Sequence, residues 1–159
     1  MRHRRVSLSG LKVVFLTSCF LTACQLADAQ RNFVSFTRNT LDNTLRGGSG
    51  VDLADIDGDG LTDVVAFAGD PSAFVWYRNP GWEKYTVASG IQSPISAASH
   101  DVDGDGDVDL VLASEFNLAR STEGGLLQWF ENPGNPQQAQ NWTAHFIDRV
   151  PASHRVKWG

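Results

Sequence analysis

Short apolar or alternating runs of five or six residues recur between residues 63 and 148, and turn-forming residues separate them. Some runs are continuous and rich in β-branched residues, whereas others carry aromatic residues or alternate apolar with polar positions. The helical spacing of three to four residues between apolar positions is missing, so the pattern predicts an all-β fold. Strands are expected at 63–68, 73–77, 84–88, 95–99, 109–114, 126–130 and 144–148.

The strand pattern occurs twice, and 46 residues separate Asp55 from Asp101, the first aspartate of each copy. In both copies the aromatic strand ends in Trp-aromatic-x-Asn-Pro-Gly, so that Trp76 corresponds to Trp129, and the second copy carries a longer loop after this turn. With a strand before each acidic loop, the repeat has four strands. Four antiparallel strands in about 40–50 residues are typical of a blade of a β-propeller.

The number of blades is indicated by the segments that flank the two copies. The segment 156–159 aligns with the residues before each acidic loop and is expected to begin a further blade, while 33–41 resembles an outer strand. We therefore expect residues 30–159 to be a partial β-propeller, truncated at the C-terminus, with about two to three four-stranded blades of a larger ring. The alternative is a complete, small protein with two sheets.

The N-terminal segment has the pattern of an export signal, in which a basic region precedes the apolar run 13–23. Two cleavage sites remain open. The sequence Leu-Thr-Ala-Cys at 21–24 resembles a bacterial lipobox, which would give a signal of residues 1–23 and a lipid on Cys24. Ala-Asp-Ala before Gln30 fits an ordinary signal peptide of residues 1–29. Both predict an exported protein that is secreted, periplasmic or lipid-anchored at the cell envelope.

Charge and cysteine content limit the chemistry of the remaining domain. Cys19 and Cys24 both lie in the signal segment, so no disulfide or cysteine-based site is expected after it. Removal of residues 1–29 takes away four basic residues and one acid, and the net charge changes from −5 to −8. Nine acids lie in the two repeated loops, and no basic patch is present to neutralise phosphates. Nucleic acid is therefore not expected as a partner.

The two acidic loops have the spacing of a calcium-binding loop. Aspartates stand at positions 1, 3, 5 and 9, a glycine stands at position 6 for a sharp turn, and position 7 can offer a backbone carbonyl. Oxygen-only ligands favour Ca²⁺ before Mg²⁺ and disfavour zinc or copper. The predicted ligands of two Ca²⁺ ions are Asp55, Asp57, Asp59, Leu61 and Asp63 in the first loop, and Asp101, Asp103, Asp105, Asp107 and Asp109 in the second.

An EF-hand is excluded by the residues at the end of each loop. Position 12 should be a bidentate glutamate, but it is Ala66 in the first copy and Leu112 in the second. A strand pattern, and no helix pattern, comes after position 9. An acidic Asp-Gly hairpin turn without a metal would explain the glycines. It would not explain why the same spacing of aspartates occurs twice.

The acidic loops, the strand after each loop and the Asn-Pro-Gly turn together resemble the FG-GAP or VCBS repeats of integrin-α-like propellers. The resemblance covers about residues 33–159 and implies that each loop joins the innermost strand of a blade to the next strand. It also implies that the ligand sets named above bind calcium on one rim of the ring. The Phe-Gly…Gly-Ala-Pro phrase that gives the family its name is absent.

Two functions remain open. The first is a non-enzymatic, calcium-stabilised scaffold that binds a carbohydrate or protein ligand; Trp82 or Trp142 could stack on sugars, although such tryptophans more often pack between blades. The second is implied by a weaker resemblance of the Asn-Pro-Gly turn and the segment 153–159 to the propeller of aldos-2-ulose dehydratase-like sugar lyases. That resemblance implies a metal held by histidines of the central channel, with His100 and His154 as candidates ahead of His145.

Overall fold

Eight β-strands make up almost all of the regular structure, and the computed structural model describes residues 34–120 and 122–159. The predicted signal segment and Cys24 lie outside the described residues. The strands are β1 (Arg46–Ala54), β2 (Asp63–Asp70), β3 (Ser72–Arg78), β4 (Glu83–Ser89), β5 (Ser96–His100), β6 (Asp109–Ser114), β7 (Leu126–Glu131) and β8 (Thr143–Arg149). Within the described ranges the helical content is a single 3₁₀ turn at Leu118–Arg120. The all-β prediction is confirmed, and each of the seven strands expected between residues 63 and 148 is present within one or two residues of its expected bounds.

The strands form two four-stranded antiparallel sheets with the same order. The first sheet contains β1-β2-β3-β4 and the second contains β5-β6-β7-β8. Repeat-equivalent residues also have equivalent cross-strand partners. Trp76 pairs with Val65 of β2 and with Tyr85 of β4, and Trp129 pairs with Val111 of β6 and with His145 of β8. The third strand of each sheet changes register at the same repeat position, after Phe74 and after Leu127. The two copies seen in the sequence are therefore two copies of one structural unit.

The main hydrophobic core lies between the two sheets. The first sheet contributes Val65, Phe67, Phe74, Trp76 and Val87, and the second contributes Leu110, Leu112, Phe130 and Trp142. The rings of Phe74 and Phe130 meet edge to face with centroids 5.4 Å apart. Each buried side chain of this size stabilises the folded state by about 1.5–3 kcal/mol. The packing of one sheet on the other is therefore a major source of stability for the unit Arg38–Gly159.

Trp142 is part of this core, so the prediction that it could stack on a sugar is wrong. Its side chain is 5% exposed, and its backbone N–H donates to the carbonyl of Val87 in the first sheet at 2.9 Å. A buried indole cannot stack on a sugar, so the packing role expected of such tryptophans applies here. Trp82, in contrast, is 36% exposed.

The two flanking segments differ from their predictions. Residues 34–41 contain no strand, and the segment after them is held to the first sheet by Asp42, which accepts a hydrogen bond from Tyr77 Oη at 2.7 Å. Residues 156–159 also form no strand, although they lie beside β5, where Val156 N donates to Ser96 Oγ at 3.1 Å. A first strand is fixed by pairing with the second strand of its own sheet, and the described residues contain no such partner for this segment. The described chain therefore has two sheets, which do not close into a ring.

Candidate metal centres

Both acidic loops connect the first strand of a sheet to the second. The loop 55–62 joins β1 to β2, and the loop 101–108 joins β5 to β6. Each loop therefore turns the chain through a hairpin, and its position-9 aspartate is the first residue of the following strand. This is the placement that the resemblance to FG-GAP repeats implies.

The position-9 carboxylates, Asp63 and Asp109, are fully buried and tie each loop together. In both copies the carboxylate accepts the backbone N–H of the position-2 residue and that of the asparagine of the Asn-Pro-Gly turn. The donors are Ile56 and Asn79 for Asp63, at 2.9 and 2.8 Å, and Val102 and Asn132 for Asp109, at 2.9 and 2.8 Å. Burial raises the pKa of both carboxyl groups above the usual aspartate value, and these hydrogen bonds oppose that shift only in part.

The position-1 carboxylates, Asp55 and Asp101, accept hydrogen bonds from the backbone of their own turns. Gly60 N donates to Asp55 Oδ2 at 2.9 Å, and Gly106 N donates to Asp101 Oδ2 at 3.1 Å. Both glycines have positive φ, 86° and 99°, and an added Cβ would meet no atom within 4 Å. Glycine is required for its backbone conformation and not for space.

The position-3 carboxylates differ between the two loops. Asp57 has a side chain that is only 5% exposed. Its Oδ2 accepts hydrogen bonds from Arg78 Nε at 2.5 Å and from Gln137 Nε2 at 2.6 Å. Its Oδ1 is buried without a hydrogen-bond partner among the described residues. Asp103 is exposed, and its Oδ1 accepts the backbone N–H of Asp105 at 3.2 Å.

Positions 1, 3 and 9 converge in each loop. One carboxylate oxygen of each of Asp55, Asp57 and Asp63 lies within 4.8 Å of the others, and Asp101, Asp103 and Asp109 meet in the same way. Ligands at 2.3–2.6 Å from a calcium ion lie no more than about 5 Å apart, so both clusters have the dimensions of a calcium site. The unpartnered Oδ1 of Asp57 is a buried anionic atom that a cation would satisfy. The clusters could therefore hold a metal ion.

Positions 5 and 7 lie in the same turns but outside these clusters. Asp59 accepts the backbone N–H of Leu61 at 2.9 Å and pairs with Arg78 Nη2 at 2.8 Å, while Asp105 accepts the N–H of Asp107 at 2.9 Å. The structure thus gives Asp59 and Asp105 a turn-forming role. Their role as ligands, like that of the Leu61 and Asp107 carbonyls, stays a prediction.

Several residues that shape the centres could not be identified in the sequence. Arg78 stands where the second copy has a glutamate, and Gln137 lies in the loop that only the second copy has, so the repeat gives no signal for their contacts with Asp57. Asn79 and Asn132 do recur, within the Asn-Pro-Gly turns, and that recurrence is the signal that could have assigned them to the loops. Asn132 is buried, and its side-chain amide donates to the carbonyl oxygens of Ile56 and Val108 at 3.0 and 3.1 Å.

The histidines of the enzymatic alternative lie at separate places. The ring of His100 lies 4.8 Å from that of Trp158, and the ring of His154 meets the ring of Phe116 edge to face at 5.2 Å. His145 stacks on Trp129 at 4.2 Å. In the part of the chain that the structure describes, the groups of three or more metal-ligating side chains consist of aspartates alone.

Two family models match the chain. Residues 55–112 match an FG-GAP-like repeat, and residues 124–159 match the aldos-2-ulose dehydratase, beta-propeller domain. No curated protein and no solved structure matches it. Both resemblances drawn from the sequence are thus confirmed, and the matches indicate propeller-type repeats, of which FG-GAP repeats often bind calcium. Among residues 34–120 and 122–159, no helix has the length and apolar character needed to cross a membrane.

Proposed function

We propose that this protein is a calcium-binding β-propeller scaffold of the cell envelope, without enzymatic activity, which binds a carbohydrate or protein ligand through its rim loops. Each acidic loop holds one Ca²⁺ ion. The observation that carries the proposal is the buried Oδ1 of Asp57, which has no hydrogen-bond partner among the described residues; Asp57 belongs to a carboxylate cluster that the second repeat reproduces.

The ion stabilises the fold because it offsets charge that the loops concentrate. Four aspartates in the first loop and five in the second repel one another, and Asp63 and Asp109 are also removed from water. Because these two residues also accept N–H groups from the Asn-Pro-Gly turn, an ion on their carboxylates links the loop to the end of the third strand. Calcium binding therefore supports the packing of each sheet and not the loop alone.

The faces through which the two sheets pack on each other support a larger ring. The first sheet presents Trp76 and Val65 to the second sheet, which presents Leu110, Leu112 and Phe130 in return. The repeat equivalents Trp129 and Val111 therefore lie on the opposite face of the second sheet. A further sheet could pack there as the second sheet packs on Trp76, which is the arrangement of successive blades.

Calcium binding is tested by titration calorimetry and thermal melting of the exported domain, residues 30–159. We expect two bound Ca²⁺ ions per chain, and one in each of the variants Asp57→Asn and Asp103→Asn. Free calcium at about 100 times the dissociation constant of a site should stabilise the fold by about 2.7 kcal/mol, and EDTA should remove this gain. Absence of binding heat, together with a melting temperature that EDTA does not change, would refute the proposal.

The alternative function is the propeller part of a metal-dependent sugar lyase or dehydratase. The match of residues 124–159 favours it. A cavity of about 440 Å³ beside β5 is lined by Asp52, by Ser96–Ser99 and by Arg155–Trp158. One carboxylate oxygen of Asp52 is buried without a hydrogen-bond partner among the described residues. Sugar turnover that is lost in both His100→Ala and His154→Ala would establish this alternative. Sugar binding that both variants retain, without turnover, supports the scaffold.

A further inference from the structure

The two acidic loops have different electrostatic surroundings. The first loop has a basic side chain beside it, since Arg78 donates to Asp57 from Nε and to Asp59 from Nη2. In the second copy the equivalent position is Glu131, which contacts His145 at 2.7 Å. Within the described ranges, no basic side chain lies at ion-pair distance from Asp101–Asp109.

The charges of the two loops therefore differ by two units. The four aspartates of the first loop and Arg78 beside them have a formal charge of −3, and the five aspartates of the second loop have a formal charge of −5. Arg78 is also well placed to act on an ion, because it shares the Asp57 carboxylate with the candidate site. Its Nε contacts Oδ2 of that carboxylate, and Oδ1 is the oxygen left for a ligand role.

We propose that Arg78 acts as a resident cation of the first loop and makes the two calcium sites unequal, so that the second loop fills at lower calcium than the first. This inference rests on the proposed calcium binding. The second loop then has the role of a permanently filled, structural site. The first loop responds to calcium in a higher range of concentration, where the ion must bind against the positive charge of the guanidinium.

Elementary electrostatics sets the size of the effect. A unit charge a few ångströms from a divalent ion changes the affinity roughly tenfold even at the dielectric constant of water, and more where the groups are shielded from solvent. Asp57 is 5% exposed and Arg78 is 33% exposed, so the pair is partly shielded. We therefore expect removal of the Arg78 charge to tighten the first site by about tenfold or more.

Gln137 provides a matched control within the same site. Its Nε2 donates to the same oxygen, Asp57 Oδ2, at 2.6 Å, but it carries no charge. If the charge of Arg78 opposes the ion, Gln137→Ala changes calcium affinity much less than Arg78→Gln. If both residues act by orienting Asp57, both substitutions weaken calcium binding.

The experiment measures calcium affinity by titration calorimetry at fixed ionic strength in the exported domain carrying Asp103→Asn, which isolates the first site. Arg78→Gln should tighten that site about tenfold, while Arg78→Lys and Gln137→Ala should stay within about threefold of the parent. Circular dichroism confirms that each variant is folded. The unsubstituted domain should show two classes of site, of which Arg78→Gln moves only the weaker one.

The outcomes separate this inference from the function on which it rests. Two equal sites in the unsubstituted domain, or an affinity that Arg78→Gln leaves unchanged or lowers, would overturn the role of Arg78 and leave calcium binding intact. An unsubstituted domain that binds no calcium would overturn both.

Discussion

Asn132 links the two sheets through its side chain, and its replacement provides a test of the described packing. The amide nitrogen donates to the carbonyl oxygen of Ile56, in the first acidic loop, and to that of Val108, in the second. Its repeat equivalent, Asn79, donates to the carbonyl oxygen of Thr62 in its own loop at 3.0 Å. Asn79 is partly exposed, whereas Asn132 is 3% exposed. The same residue type in the same turn thus makes one bond to its own loop in both copies, and only Asn132 also bonds to the other sheet.

The expected cost can be worked out from these contacts. Asn132→Ala removes three hydrogen bonds, because Oδ1 also accepts the backbone N–H of Gly134 at 3.1 Å, and each bond is worth about 0.5–1.5 kcal/mol. It also leaves carbonyl groups without their donors, at a further cost of about 1 kcal/mol or more. We expect the free energy of unfolding to fall by about 3 kcal/mol. Asn79→Ala removes one bond at a site that water can reach, so we expect a loss of about 1 kcal/mol.

The assay is urea unfolding of both variants at 25 °C in saturating calcium, followed by circular dichroism and analysed at a common slope. The same melts are repeated in EDTA, because at saturating calcium a weaker metal affinity would itself lower the free energy of unfolding. Equal losses for the two variants, or a larger loss for Asn79→Ala, would show that the bond from Asn132 to Ile56 does not stabilise the contact between the sheets.

Two further predictions concern the core and a surface anchor. Phe130→Ala should lower the free energy of unfolding by about 3–5 kcal/mol in a urea melt, because the ring is 2% exposed and contacts Phe74. Phe146 is 64% exposed, so Phe146→Ala should lower it by less than about 0.5 kcal/mol. Similar losses in the two variants would contradict the assigned core. Asp42 accepts hydrogen bonds from Lys84, Thr44 and Tyr77, and these hold its pKa well below the usual value. Its contribution is therefore complete above about pH 4 and is lost as the pH falls toward the lower pKa of the folded state. Asp42→Asn should lower the free energy of unfolding by only about 1 kcal/mol at pH 7, because Lys84 is partly exposed and solvent screens the ion pair. In melts across pH, this difference from the parent should shrink below about pH 4. A difference that does not depend on pH would contradict the role of the Asp42 charge.

Much of the fold is predictable because its signals are local. The strands from Asp63 onward have continuous or alternating apolar residues between turn residues, and these features lie within ten positions of one another. The repeat adds the grouping into two sheets, since equivalent strands must pair in the same order. β1 has no such signal, because its sequence contains three glycines among its first five residues, and glycine is a poor strand former. Its pairing with β2 holds it in place, and Gly50 leaves room for the ring of Phe67, which would lie 2.8 Å from an added Cβ.

The candidate centres are predictable only in their repeated part. The spacing of the aspartates identified both clusters, because positions 1, 3 and 9 of one turn meet whatever surrounds the loop. The surroundings depend on contacts between distant parts of the chain. Gln137 reaches Asp57 across 80 positions, from a loop that exists only in the second copy, and Arg78 stands where that copy has a glutamate. Residues that differ between the two copies leave no repeated pattern in the sequence, so the repeat does not identify them.

These differences arise from how each loop is placed in the described unit. The first loop contacts the second repeat, since Ile56 accepts a bond from Asn132 and Asp57 accepts one from Gln137. It is partly covered and its carboxylates are already partly neutralised by protein donors. The second loop has donors from its own repeat alone among the described residues, and its Asp103 and Asp105 are exposed. An acidic turn that lacks a neighbouring basic side chain needs a cation more than one that has an arginine beside it. Under the proposed calcium binding, Arg78 of the first repeat and Gln137 of the second therefore both reduce the need of the first loop for the ion, and the second loop has no equivalent of either contact among the described residues.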